Sequence, residues 1–172
     1  MPEASVMETT TIRGLKNPVS RIALGTWAIG GWMWGGPDAR QAIATIQEAV
    51  DLGITLIDTA PVYGFGHSEE VVGQALQGRR DRVAIATKVG LDWTEDHKPF
   101  RNTSAARIRK EIEASLRRLR TDYIDLYQVH WPDSAVSMEE TARTLESLVQ
   151  EGKVLALGVS NFTIAQMEEF RA

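Results

Sequence analysis

Residues 54–70 read ITLIDTAPVYGFGHSEE, a strand-like apolar run that stops on Asp58 and passes into a loop carrying Tyr63. Ile54, Leu56 and Ile57 suit a buried strand, whereas the Pro and Gly residues around Tyr63 exclude regular structure. The same pattern recurs downstream. DRVAIATKV (81–89) carries Lys88 near its end, DYIDLYQVH (122–130) ends on His130, and KVLALGVSN (153–161) ends on Ser160 and Asn161. Helical segments separate these runs. PDARQAIATIQEAVDLG (37–53) places Ala42, Ile43, Ile46, Ala49 and Val50 at helical spacing, with Pro37 suited to a first turn and Gly53 to a stop. SEEVVGQAL (68–76), TSAARIRKEIEASLRRLR (103–120) and SMEETARTLESLVQEG (137–152) read as further helices, and residues 163–172 begin a fifth.

Strands that are near-continuous apolar runs belong to a parallel sheet covered by helices. A doubly wound dinucleotide-binding sheet would open with G-x-G-x-x-G after its first strand, expected here at about Arg21 to Thr26, and GTWAIGGWMWGGP (25–37) lacks that spacing. The polar residues fall instead at the carboxyl ends of successive strands. Such ends converge on one mouth in an α/β (β/α)8 TIM barrel, the architecture this pattern favours. Ahead of it, TTTIRGLKNPVS (9–20) predicts a small hairpin turning at Asn17-Pro18. The expected organisation is one domain over residues 1–172, with a tail and hairpin over 1–20 and β/α units one to five over 21–172.

Composition sets the class of partner. The 172 residues are 43% hydrophobic and 24% charged, enough for a buried core, and 19 basic against 23 acidic side chains give a net charge of -4. That balance points to a small-molecule partner rather than nucleic acid or a membrane surface. With no cysteine, and His67, His97 and His130 scattered, no metal site is expected. Nothing in MPEASVMETT resembles a signal peptide and no apolar run has transmembrane length, so a cytoplasmic location is expected.

Taken singly, Asp58 reads as a turn residue, Tyr63 as a surface aromatic, Lys88 as a counter-charge to Asp58, His130 as a hydrogen-bonded core histidine, and Ser160 and Asn161 as a helix cap. Jointly they do not, because charge gathered at one end of a sheet is costly unless it is paired. The set suits proton transfer. A tyrosine with its ordinary pKa of about 10 is a poor proton donor near neutrality, and a neighbouring ammonium favours its phenolate. Lys88 can play that part with Asp58 holding it, while His130 approaches from the other side and positions a substrate carbonyl. An acid acting on a carbonyl needs a hydride that no side chain supplies, hence a nicotinamide cofactor.

Four stretches, IDTAPVYGFGHSEEVVG, VAIATKVG, TDYIDLYQVHWPD and LALGVSNF, resemble in order the signatures of the aldo-keto reductase superfamily, and LGTWAIGGWMWGG resembles its bacterial general-stress type. The resemblance covers about Ile22 to the end. It implies an NADPH-dependent carbonyl reductase on a (β/α)8 barrel, with Tyr63 as acid, Asp58 and Lys88 supporting it, and His130 orienting the carbonyl. By the same resemblance Thr26, Trp27 and Asp58 lie beside the cofactor, and Ser160 and Asn161 hold its carboxamide. Trp131 is expected to face the substrate. Trp32, Met33 and Trp34 either line an apolar pocket or cover the barrel rim. Lys110, Arg117, Arg118 and Arg120 are expected to form a solvated basic face on the third helix.

A (β/α)8 barrel needs about 250 residues, so 172 residues and five units predict part of a larger enzyme, and the resemblance implies that the remaining units carry most of the cofactor grip. Three other readings stand beside the reductase. One is an NADPH-binding regulatory module like potassium-channel beta subunits, which resemble the superfamily except for asparagine at the position of His130. Another is a lyase using Lys88 as a Schiff-base nucleophile, and the last is a fragment without activity of its own.

Overall fold

The computed structural model describes residues 7–36 and 38–171. An antiparallel pair comes first, β1 (Thr9–Thr10) and β2 (Val19–Ser20). There follow β3 (Leu24–Gly25), α1 (Ala39–Asp51), β4 (Leu56–Asp58), α2 (His67–Ala75), β5 (Ala84–Val89), a hairpin of β6 (Leu91–Trp93) and β7 (Pro99–Arg101), α3 (Ala105–Leu119), β8 (Ile124–Val129), α4 (Met138–Gln150), β9 (Val154–Val159) and α5 (Ile164–Arg171). The main sheet has the order β3-β4-β5-β8-β9, and each neighbouring pair is parallel. A doubly wound sheet would reverse its order part-way; here order follows sequence and consecutive helices pack side by side. The sheet is a partial (β/α)8 barrel.

The core lies between sheet and helices. Ile46 of α1, Val72 of α2, Ile108 and Ile112 of α3 and Leu145 and Leu148 of α4 meet Ile57, Ile85 and Tyr127, all essentially sealed from solvent. Asp38, Ser104 and Ser137 cap α1, α3 and α4, each accepting from backbone amides of the first turn. Gly53 closes α1 as expected, in the left-handed region at φ 95°. Pro37, assigned above to the first turn of that helix, lies outside the described residues.

Three local expectations change. The first strand pairs only at Leu24–Gly25, because the chain bends at Arg21–Ile22 and Ser20 and Thr55 bridge the two segments through side chains, Ser20 N to Thr55 Oγ1 at 2.8 Å and Thr55 N to Ser20 Oγ at 2.9 Å. The turn of the first hairpin centres on Arg13-Gly14, one bend ahead of Asn17-Pro18. Lys110, Arg117 and Arg120 are solvent-exposed, but Arg118 is not part of a solvated face. Its guanidinium turns inward to Glu69 Oε2 at 2.6 Å and to Glu111, two carboxylates that are 0% and 2% exposed. Arg107, 8% exposed, pairs with Glu111 from the other side. Unpaired, those carboxylates would be strongly unfavourable in this interior, and pairing draws Arg118 in.

Candidate active site

The sheet register assembles the site. Asp58 stands opposite Gly25 on one side and Ala86 on the other, and Lys88 stands opposite Gln128. Past the strand ends, backbone bonds continue the alignment: Thr26 N to Asp58 O, Thr59 N to Ala86 O, His130 N to Val89 O and Ser160 N to Val129 O, all at 2.8 to 2.9 Å. Thr26, Asp58, Lys88, His130 and Ser160 therefore sit on one rim, as the sequence predicts.

Tyr63 reaches that rim through a tight loop. Gly64, Phe65 and Gly66 are consecutive left-handed residues with φ of 65°, 54° and 105°. A methyl group on Gly30 would come within 2.5 Å of the Tyr63 carbonyl carbon, so the two loops touch backbone to backbone where only glycine fits.

Lys88, 5% exposed, directs Nζ to Asp58 Oδ1 at 2.7 Å, to the Thr59 carbonyl at 2.9 Å and to Tyr63 Oη at 3.3 Å. An ammonium has three protons, and all three have partners. Trp27 stacks on the Tyr63 ring with centroids 6.2 Å apart, and His130 meets it edge-on at 5.9 Å. Trp27, Trp32, Val62, Tyr63, Leu91, Pro99, His130, Trp131 and Asn161 enclose a cleft of about 330 Å³. Asn161, at φ 62°, donates from Nδ2 to the His130 carbonyl at 2.8 Å and to Ser160 Oγ at 3.0 Å, so its Oδ1 is the atom left to accept.

Burial, with the Lys88 charge adding to it, pushes the His130 imidazole from 6.5 down to about 4. It is neutral near pH 7 and offers one N–H to the cleft. Between pH 6.5 and 4 the unfolded chain holds a proton on His130 that the folded chain lacks. Stability from this group is therefore complete above pH 6.5 and is lost as pH falls towards 4. Denaturant titrations over that window should show His130→Asn with a shallower decline than the wild type, by up to about 1.4 kcal/mol per pH unit. Parallel declines would place the imidazole in open solvent.

Residues 21–172 match the family model described as aldo/keto reductase. The chain belongs to the aldo/keto reductase family. It is 58% identical over 168 residues to aldo-keto reductase YhdN of Bacillus subtilis, covering 96% of this chain and 50% of that protein. To the NADH-specific methylglyoxal reductase of Escherichia coli it is 44% identical, covering 88% and 51%. Among solved structures, the glycerol dehydrogenase AKR11B4 from Gluconobacter oxydans superposes with a TM-score of 0.89 at 58% identity, covering 95% of this chain and 51% of that one. An aldo/keto reductase from Klebsiella pneumoniae in complex with NADP and acetate superposes at 0.80, with 38% identity and coverage of 95% and 53%. This aldo/keto reductase chain thus spans about half the length of the relatives it matches.

Of the tryptophans singled out by sequence, Trp32 and Trp131 enter the cleft wall of this family member. Trp34 instead packs edge-on against Trp27 at 5.6 Å and, with Met33, is largely exposed on the rim. Sequence reading missed the hairpin β6–β7, which supplies Leu91 and Pro99 to the wall. It is held by an aromatic stack in which Phe65 meets Trp32, Trp93 and His97 with centroids 4.3 to 5.6 Å apart. The clue was the alternation in LDWT followed by a polar turn. Among the described residues no His/Asp/Glu cluster has the geometry of a metal site, and no helix is long and apolar enough to cross a membrane.

Proposed function

We propose that this chain forms the catalytic half of an NADPH-dependent oxidoreductase that reduces aldehydes or ketones to alcohols, with Tyr63 as the proton donor. The observation that carries this reading is the saturated ammonium of Lys88, held by Asp58 and Thr59 against Tyr63 Oη. A substrate carbonyl in the cleft accepts the Tyr63 proton on its oxygen. The Lys88 charge then faces the oxygen that has become negative, and the neutral N–H of His130 steers the carbonyl from the far side. Trp27, Trp32 and Trp131 supply apolar wall to the cleft around the reacting carbon.

The residues present fit the nicotinamide end of a cofactor. A methyl group on Gly25, opposite Asp58, would touch nothing within 4 Å, so there is open room at the strand end beside Thr26 and Trp27. Asn161 Oδ1 and Ser160 Oγ supply polar atoms to hold the carboxamide. When bound, the cofactor supplies the hydride. The relatives include an NADH-specific reductase and structures in complex with NADP and NADPH, so both nucleotides belong in the test.

Use of Lys88 as a Schiff-base nucleophile fits this geometry poorly, because an ammonium with three hydrogen-bond acceptors around it has no lone pair to offer. Coverage of about half of each relative supports a longer active protein.

The purified protein, its intact mass recorded first, should quench or enhance NADPH fluorescence saturably and consume NADPH with 4-nitrobenzaldehyde. Binding of NADH alone, or no consumption with either nucleotide by a protein of the relatives' length, would overturn the assignment. If the mass corresponds to 172 residues and neither nucleotide binds, the activity resides in a longer chain.

A further inference from the structure

Behind the cleft lies a group that the mechanism above does not use. Ser68 is 0% exposed in the first turn of α2, and its partners Thr26 and Thr59 are equally sealed. Ser68 Oγ lies 2.7 Å from Thr26 Oγ1 and 3.0 Å from Thr59 Oγ1, and Thr26 Oγ1 donates to the Asp58 carbonyl at 3.0 Å. That last bond fixes the direction of the others. Thr26 gives its proton to Asp58, so Ser68 donates to Thr26, shared between its Oγ1 at 2.7 Å and its carbonyl at 3.0 Å, and Ser68 in turn accepts from Thr59. Three hydroxyls form one directed chain ending on Asp58.

The backbone of Ser68 completes the connection, since its N–H donates to the Tyr63 carbonyl at 3.1 Å. One residue therefore grips the Tyr63 loop with its amide and the ends of β3 and β4 with its hydroxyl. Those ends carry both fixed acceptors of Lys88, Asp58 Oδ1 and the Thr59 carbonyl. The next residue, Glu69, accepts from Thr87 Oγ1 at 2.6 Å and ties the same helical turn to the residue preceding Lys88.

We propose that Ser68 is a positioning residue for the proton donor, setting Tyr63 Oη against Lys88 Nζ through the Thr59–Ser68–Thr26–Asp58 hydroxyl chain. The inference rests on Tyr63 acting as the acid. Ser68 touches neither the cleft nor Lys88, so its effect must pass through the loop. Removing the hydroxyl leaves the Thr59 donor and the Thr26 acceptor unpaired in a sealed interior, and the loop gains room to shift.

The test is a cycle of wild type, Ser68→Ala, Tyr63→Phe and the double variant, with kcat and KM for an aldehyde at saturating NADPH. Ser68→Ala should lower kcat by about 10- to 100-fold, the effect of a displacement of about 1 Å at a reacting group. KM and the NADPH Kd should stay within about threefold, because neither binding surface is touched. The double variant should be no slower than Tyr63→Phe, since Ser68 has nothing to position once the phenol is gone.

Hydrogen exchange of the nucleotide-free protein gives a second readout. Amides of the Tyr63 loop should open about tenfold faster in Ser68→Ala while those of β8 are unchanged. Wild-type kcat in Ser68→Ala alongside an inactive Tyr63→Phe would overturn this inference alone, as would a double variant slower than Tyr63→Phe. Wild-type kcat in Tyr63→Phe would overturn the acid assignment and this inference with it.

Discussion

Tyr63→Phe should lower kcat for aldehyde reduction by about a hundred- to ten-thousandfold while leaving NADPH affinity and folding intact. The substitution deletes one oxygen. The ring keeps its stacking with Trp27 and its edge contact with His130, and the loop keeps its backbone contacts with Gly30. Lys88 loses its longest hydrogen bond, at 3.3 Å, and retains Asp58 and Thr59. What disappears is the only O–H among the described cleft residues within reach of a fixed ammonium, so the loss should fall on kcat and not on KM. His130→Asn should cost less, because it steers the carbonyl without giving up a proton to it. If Tyr63→Phe kept more than about a tenth of wild-type kcat, proton donation would have to come from elsewhere. His130 would be the alternative, and the rate would then change as pH falls towards the range where its imidazole charges.

The barrel rhythm was legible because each strand is buried on the helix side and reads as an apolar run. β5, for example, is buried at all six positions. The rim was legible for the opposite reason: Asp58, Lys88 and His130 interrupt such runs, and a charged or polar group there has no packing role to play. Phe65, Trp93 and His97 were not legible as a group. The stacking of Phe65 on Trp93 and His97 depends on the hairpin β6–β7 folding back over the loop before α2, a long-range contact that no local period encodes.

Arg118 shows a different kind of failure. In α3 the residues Arg107, Glu111 and Arg118 lie four and seven positions apart, on the same side as Ile108, Ile112, Ser115 and Leu119. Composition counted Arg118 with its basic neighbours Arg117 and Arg120, whereas its phase on the helix put it with the core. The phase was the better guide. Ser68 was equally hidden, since a serine after glycine and histidine at a helix start reads as a cap, and only the fold reveals the two threonines against it.

Arg118→Leu should reduce folding stability at pH 7 by about 3–5 kcal/mol, the range for removing one partner from buried ion pairs. The Arg118 side chain is 18% exposed and its guanidinium bridges Glu69 and Glu111, so leucine fills much of the volume but leaves Glu69 with the hydroxyl donors Thr87 and Ser115. Burial already holds the Glu69 carboxyl above its ordinary range, with the Arg118 charge opposing that effect. Without Arg118 it should rise further. A carboxyl whose folded pKa lies above its unfolded value contributes stability below the unfolded value and loses it as pH rises through the folded one. The variant should therefore recover stability relative to wild type as pH falls from 7, opposite in sign to the His130 contribution. Adding Glu69→Gln should restore part of the loss at pH 7, because the buried charge is gone and Glu111 keeps Arg107. Denaturant titrations of the two variants beside wild type decide it. A loss below about 1 kcal/mol would mean that water reaches the cluster, as it does in ordinary surface pairs. A loss that Glu69→Gln deepens would mean that Thr87 and Ser115 satisfy the carboxylate without the guanidinium, and that Arg118 acts through packing of α3 on α2.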